Sequence, residues 1–209
     1  MAYEVIKKIL FVGDLNEYGR SFQRYKALKD LGHDVTGLSH TPVPWNPRKD
    51  FNLLESLSWK FKLPFDLMGV NANIKKQVAR IAFDIVWIEK GNTVTPLTLR
   101  FIKKNSPATK LISCSEDDMY AKHSRSLYYT WGLKYYDIVF TTKVYNLEEL
   151  RLLGARRTEL FLDSYDEIIH HPFVLTEEEK NRFSCDIGFI GSFELDRAKR
   201  MLYLAERGI

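Results

Sequence analysis

The sequence predicts an α/β domain, doubly wound about a mostly parallel sheet. Two observations carry that expectation. Apolar runs of strand length alternate with segments of helical period, the order that generates βαβ units. Those runs are continuously apolar rather than alternating, as in strands covered on both faces. At 209 residues, 45% apolar and 28% charged, the chain has room for one generous domain, or for one domain and a piece of another.

The elements follow in order. Residues 8–13 (KILFVG) are rich in β-formers and end on Gly. Residues 17–31 place Phe22, Tyr25, Leu28 and Leu31 at helical spacing, and Gly32 closes that helix. Residues 34–39 read as the second strand. The three prolines of TPVPWNP (41–47) dictate a loop. Residues 51–83 read as mostly helical, interrupted near Pro64. A regular series follows: strand 84–88 (DIVWI), helix 95–104 with Pro96 at its start, strand 109–114 (TKLISC) and helix 124–135. Strand 137–141 (DIVFT), helix 146–153 closed by Gly154, and strand 158–162 complete it.

Residues 163–184 are polar, with the acidic run Glu177–Glu179, and suggest a crossing loop with a short helix. The expected domains are therefore 1–175 and 176–209. The second opens with an apolar strand at 185–190, a Gly191-Ser192 turn and an amphipathic helix that closes on Gly208.

Composition excludes several classes. No apolar stretch approaches the roughly 20 residues of a membrane span. The N-terminus lacks the pattern of a signal peptide. Cys114 and Cys185 sit in strand-like apolar runs, so buried free thiols and a cytoplasmic setting are expected. The net charge of +4 is uneven: residues 1–113 carry 18 Lys/Arg against 10 Asp/Glu, a net of +8. Such a half either attracts an anionic partner or is simply a solvated surface. No nucleic-acid-binding motif accompanies it.

In open parallel sheets, ligands bind at the carboxyl ends of the strands, near the point where strand order reverses. The loops after Val12, Ile88, Cys114, Thr141 and Ile190 are the places to look. The first, Gly13-Asp14-Leu-Asn-Glu17-Tyr-Gly19-Arg20, is not GxGxxG, and Asp14 and Glu17 oppose a pyrophosphate. It suits a hydroxylated or carboxylated ligand, or is a plain turn. The second, Glu89-Lys90-Gly91-Asn92, offers either a hydroxyl-binding pair or a self-satisfied one. The third, Glu116-Asp117-Asp118, crowds three carboxylates, which raises a pKa toward that of a general base or else caps the next helix. His170-His171 has no partner ligand at metal-binding spacing, and no GxSxG occurs. The run 59–65 (WKFKLPF) alternates aromatic or apolar residues with lysine, as an edge strand, a core segment or a patch on an acidic membrane surface would.

The ordered set of segments resembles the N-terminal half of a GT-B glycosyltransferase of the CgeB-like (spore maturation) branch. KILFVG…ALKDLGHDVTGL resembles the opening βαβ of that family, and DIVWIEKGNTVTPLTLRFIKKNSPATKLISCSEDD its strand–KG–helix–strand–acidic stretch. YYDIVFTTKVYNLEELRLLGARRTELFLDSYDEIIHHP is similar to the closing segment of that domain, and DIGFIGSFELDRAKRMLYLAERGI to the start of the C-terminal one. The resemblance implies a Rossmann-like acceptor-side domain followed by the first βα unit of a donor domain, cut short. It implies transfer of a sugar from a nucleotide-sugar donor to an acceptor hydroxyl, with no metal and no cofactor. Gly13, Asp14, Arg20, Glu89, Lys90, Asn92 and Glu116 would line the acceptor side. Gly191, Ser192 and Arg197 would face the donor, and Asp117 or Asp118 would act as base in an inverting enzyme. The rival reading is a non-catalytic Rossmann-like module that binds sugar or a partner.

Overall fold

The computed structural model describes residues 5–46, 53–191 and 193–208. Those up to Ser164 form one compact unit and those from Tyr165 a second. The first unit is an α/β Rossmann-like doubly wound fold: a six-stranded, all-parallel sheet flanked by helices. Its strands are β1 (Lys8–Gly13), β2 (Asp34–Ser39), β3 (Ile85–Glu89), β4 (Lys110–Ser115), β5 (Ile138–Thr141) and β6 (Thr158–Leu160). The spatial order β2-β1-β3-β4-β5-β6 puts the reversal of strand order between β1 and β3.

Period-two alternation gives the two faces of this sheet different chemistry. One face presents Leu10, Val12, Val86, Ile88, Leu111 and Val139, all buried in the main core. Helices α3 (Val70–Arg80), α4 (Pro96–Asn105), α5 (Leu127–Gly132) and α6 (Asn146–Leu152) cover it with Ile74, Leu99, Tyr129 and Leu150. The opposite face carries an aromatic row: Phe11 and Trp87 stack at 6.3 Å, Trp87 and Phe140 at 6.2 Å, and Phe140 meets Phe161 edge-on. Helix α1 (Arg20–Asp30) lies on this face through Tyr25, whose ring is 5.8 Å from Phe11.

Local signals explain where helices start. Thr95 caps α4 by accepting from the Thr98 N–H, with Pro96 in the first turn, where its missing N–H breaks no bond. Asp66 accepts from the Val70 and Asn71 N–H groups at the head of α3. The predicted helix at 17–31 starts later, at Arg20, because Asp14 and Asn16 bond into the loop that precedes it. The run 59–65 is no edge strand: Trp59 and Lys60 end α2 (Leu53–Lys60) and the rest is loop.

In the second unit, α7 (Glu177–Phe183) starts with a reciprocal capping box between Thr176 and Glu179, and α8 (Leu195–Ala205) runs to a left-handed Gly208. The strand expected at 185–190 is not formed. An extended segment becomes a strand only by pairing, and among the described residues of this unit there is no strand to pair with. Cys185 is accordingly exposed, against the expectation of two buried thiols, whereas Cys114 is buried in β4. No helix among the described residues is long and apolar enough to cross a membrane.

Candidate functional site

The reversal of strand order opens a cleft of about 350 Å³ at the carboxyl edge of the sheet, lined by Asp14, Gly19, Arg20, Ser21, Arg24, His40, Thr41, Glu89, Lys90 and Glu116. Its charged lining comprises three carboxylates and three basic side chains.

Glu89 is the last residue of β3, two positions beyond Trp87 and therefore on the aromatic face. Its side chain is only 4% exposed, which a carboxylate tolerates only when fully paired. Arg24 of α1 supplies the pairing as a planar fork, Nε donating to Oε1 at 2.8 Å and Nη2 to Oε2 at 2.9 Å. The Trp87 indole N–H also donates to Oε1, at 2.8 Å. Arg24 Nη1 donates to Glu116 Oε1 beyond the end of β4, and Arg20 Nη1 donates to Glu116 Oε2 at 2.9 Å and to Asp163 at 3.3 Å. One guanidinium–carboxylate chain thus ties α1 to the end of β3 and to the loops after β4 and β6. Both carboxylates keep the Arg24 guanidinium charged despite burial, which alone would favour deprotonation.

The other wall is a hydrogen-bonded turn. Asp14 accepts from the Asn16 backbone N–H at 3.0 Å, from the Asn16 amide at 2.6 Å and from the Thr41 hydroxyl at 2.7 Å. Burial works against the charged form of Asp14, but these donors outweigh it and hold its pKa below the usual value. Asn16 in turn accepts from the Trp45 N–H at 2.8 Å. His40 follows β2 directly, and its backbone N–H donates to the Gly13 carbonyl at 3.0 Å. Burial in the cleft wall lowers its pKa below 6.5, Asp14 opposing and Lys90 reinforcing the shift, so its imidazole is neutral at pH 7.

Of the residues singled out in the sequence, Asp14, Arg20, Glu89, Lys90 and Glu116 converge on this cleft. Gly13 forms the floor beneath it: a Cβ there would collide with Ser21 Oγ and lie 2.9 Å from the Phe11 ring and 3.0 Å from Glu89 Cγ. The remaining predicted residues lie elsewhere. Asn92 bridges to the head of α5, donating to the Ser124 carbonyl at 3.0 Å and accepting from the Ser126 N–H at 2.8 Å. Asp117 pairs with Lys90 at 2.7 Å, Lys90 itself holding a left-handed φ of 56°. Asp118 Oδ1 accepts from the Tyr120 and Ala121 N–H groups and from the buried amide of Asn146. These donors lower its pKa against a desolvation that would raise it. In the second unit Arg197 pairs with Glu194 at 3.1 Å and lies over the Phe189 ring at 5.2 Å, close to Gly191. Ser192 lies outside the described residues.

Sequence reasoning missed Ser21, Arg24, His40 and Thr41. Arg24 carried a signal, being one helical turn after Arg20 and so on the same face. His40 and Thr41 carried none, because they matter only if β2 lies beside β1. No group of His, Cys, Asp and Glu that would hold a metal ion occurs among the described residues. No protein-family model matches the sequence, and no curated protein matches it.

Proposed function

We propose that the first unit is the acceptor-side domain of a GT-B glycosyltransferase and that its cleft holds a hydroxyl-rich acceptor. The observation that carries this reading is the charge-balanced lining of the cleft at the β1–β3 reversal: Asp14, Glu89 and Glu116 against Arg20, Arg24 and Lys90. Glu89 and Glu116 are paired with Arg20 and Arg24, Lys90 with Asp117, and Asp14 is held by Asn16 and Thr41, so the lining exerts little net pull on an ion, yet its remaining lone pairs and N–H groups suit a neutral polyol. In this reading the acceptor hydroxyl attacks the anomeric carbon of a nucleotide-activated sugar and the nucleoside diphosphate leaves. The hydroxyl proton passes to His40, a neutral base that lines the cleft. Asp117 and Asp118, the bases expected from the sequence, are held by Lys90 and by their own loop instead. The diphosphate and its sugar belong to a donor half, of which Gly191, Ser192 and Arg197 would form the beginning.

The second reading, a sugar-binding module without turnover, is favoured by one observation: every carboxylate in the cleft is ion-paired or multiply hydrogen-bonded. Titration calorimetry tests the shared core of both readings. A panel of neutral glycosides and the nucleotides UDP, GDP, ADP and TDP are each titrated into the chain. Glycoside binding that Arg20→Ala weakens, with no nucleotide binding in the cleft, is the expected result. Micromolar binding of a nucleotide, abolished by Arg20→Ala, would overturn the acceptor assignment. Release of free nucleotide from nucleotide-sugars in the presence of a bound glycoside then separates transferase from binding module.

A further inference from the structure

Helix α2 and the loop after it show an inverted pattern. Ser58 is buried and accepts from the Phe65 N–H at 3.3 Å, while the apolar residues of the helix face outward. Leu53, Leu57 and Phe61 fall at i, i+4 and i+8, one stripe along the helix and just past its end, and are 70%, 46% and 70% exposed. The stripe does not stand alone. The Leu127 N–H donates to the Lys62 carbonyl at 2.7 Å, which sets the head of α5 beside this loop. Four residues on, on the same face of α5, Trp131 is 52% exposed, with Tyr128 packed edge-on against it at 6.5 Å. An apolar stripe continued by Trp and Tyr exceeds the scattered single hydrophobes of an ordinary surface.

The charge around this face is predominantly positive. Between Met119 and Tyr136 the chain carries Lys122, Arg125 and Lys134 and no carboxylate. Lys60 closes α2, and Lys62 lays its ammonium 5.9 Å from the Trp59 ring, in the manner of a lysine whose stem covers apolar surface. Two acids oppose them in the sequence of residues 53–68, Glu55 and Asp66. Asp66 is committed to the first N–H groups of α3.

We infer that this face, formed by α2, its following loop and α5, docks the domain onto an anionic lipid bilayer. The apolar stripe enters the headgroup boundary, Trp131 and Tyr128 sit at the interface, and the lysines meet the acidic headgroups. The assignment is independent of what the cleft binds, since it uses none of the cleft residues.

Vesicle co-sedimentation tests it on the whole chain. With vesicles of phosphatidylglycerol and phosphatidylcholine, the protein pellets at low salt. Binding falls as ionic strength rises through 0.15 M, where screening acts within about 8 Å. Vesicles of phosphatidylcholine alone bind it at least tenfold more weakly. Leu57→Ser and Phe61→Ser each lower the partition coefficient about tenfold, and Lys60→Glu/Lys134→Glu removes the preference for anionic lipid. All are surface changes, and unchanged circular dichroism confirms the fold. Failure to pellet with anionic vesicles would overturn the inference, as would equal binding to neutral ones. A dimer in light scattering that Phe61→Ser dissociates would also overturn it, assigning the face to a second copy of the chain.

Discussion

Arg24 grips Glu89 through two parallel hydrogen bonds, 2.8 and 2.9 Å long, between the middle of α1 and the last residue of β3. The pair is mostly buried, with 22% and 4% of the side chains exposed. Removing one partner leaves the other charge without compensation, which costs about 3–5 kcal/mol. Arg24→Ala and Glu89→Ala are therefore expected to lower the Tm by about 10 °C for a domain of this size. Arg24→Lys recovers only part of the loss, because an ammonium cannot reproduce the fork. Differential scanning calorimetry of the three variants checks this, and Glu89→Ala will also shift the emission of Trp87, whose indole N–H loses its acceptor.

Gly13 is needed for its lack of a side chain rather than for backbone freedom. A Cβ at this position meets Ser21, the Phe11 ring and Glu89 together. Gly13→Ala is expected to push the head of α1 away from the sheet and to cost about 1–3 kcal/mol by overpacking. Denaturant titration reads the loss. Gly32→Ala is a useful contrast: there a Cβ would meet nothing, but the left-handed φ of 85° strains the backbone without touching the cleft.

Asp118 holds the acidic loop to α6. Its Oδ1 receives the Asn146 amide at 2.9 Å, and the Asn146 Oδ1 accepts the Met119 N–H at 3.1 Å. Asp118→Ala should cost about 1–2 kcal/mol through lost hydrogen bonds, whereas Asp117→Ala, at an exposed ion pair with Lys90, should change stability by less than about 1 kcal/mol. Equal losses from the two variants in urea unfolding would refute this division of roles.

His40 makes stability pH-dependent in a stated direction. Its folded pKa lies below 6.5, so between that pKa and pH 6.5 the unfolded chain binds more protons than the folded one. Its contribution is fully present above pH 6.5 and is lost as pH falls through the folded pKa, with a slope of at most about 1.4 kcal/mol per pH unit. His40→Gln is expected to flatten the Tm profile below pH 6.5 and to leave its slope unchanged at pH 8. An unflattened profile would show that the His40 ring is solvated in the folded state.

Elements whose signals are local were legible in the sequence. The apolar runs at 8–13 and 34–39 became β1 and β2 at the residues read from them, and Pro96 and Gly32 marked helix ends where they stand. A helix closes its hydrogen bonds within four residues, so its sequence carries most of what it needs. The sequence also determined that the loops at Asp14, Glu89 and Glu116 would share one edge, because all parallel strands end on the same side. Tertiary structure alone decided the rest. The run at 185–190 has the composition of a strand, yet without a neighbour it forms none. Arg24, Glu89 and Glu116 are separated by 65 and 92 residues along the chain, and only the placement of α1 over the aromatic row brings them within hydrogen-bond distance. His40 entered the cleft because β2 chose β1 as its neighbour. Strand pairing and buried ion pairs join residues distant in the chain, and which residues meet is settled by the packing of the whole domain rather than by the pattern of any one segment.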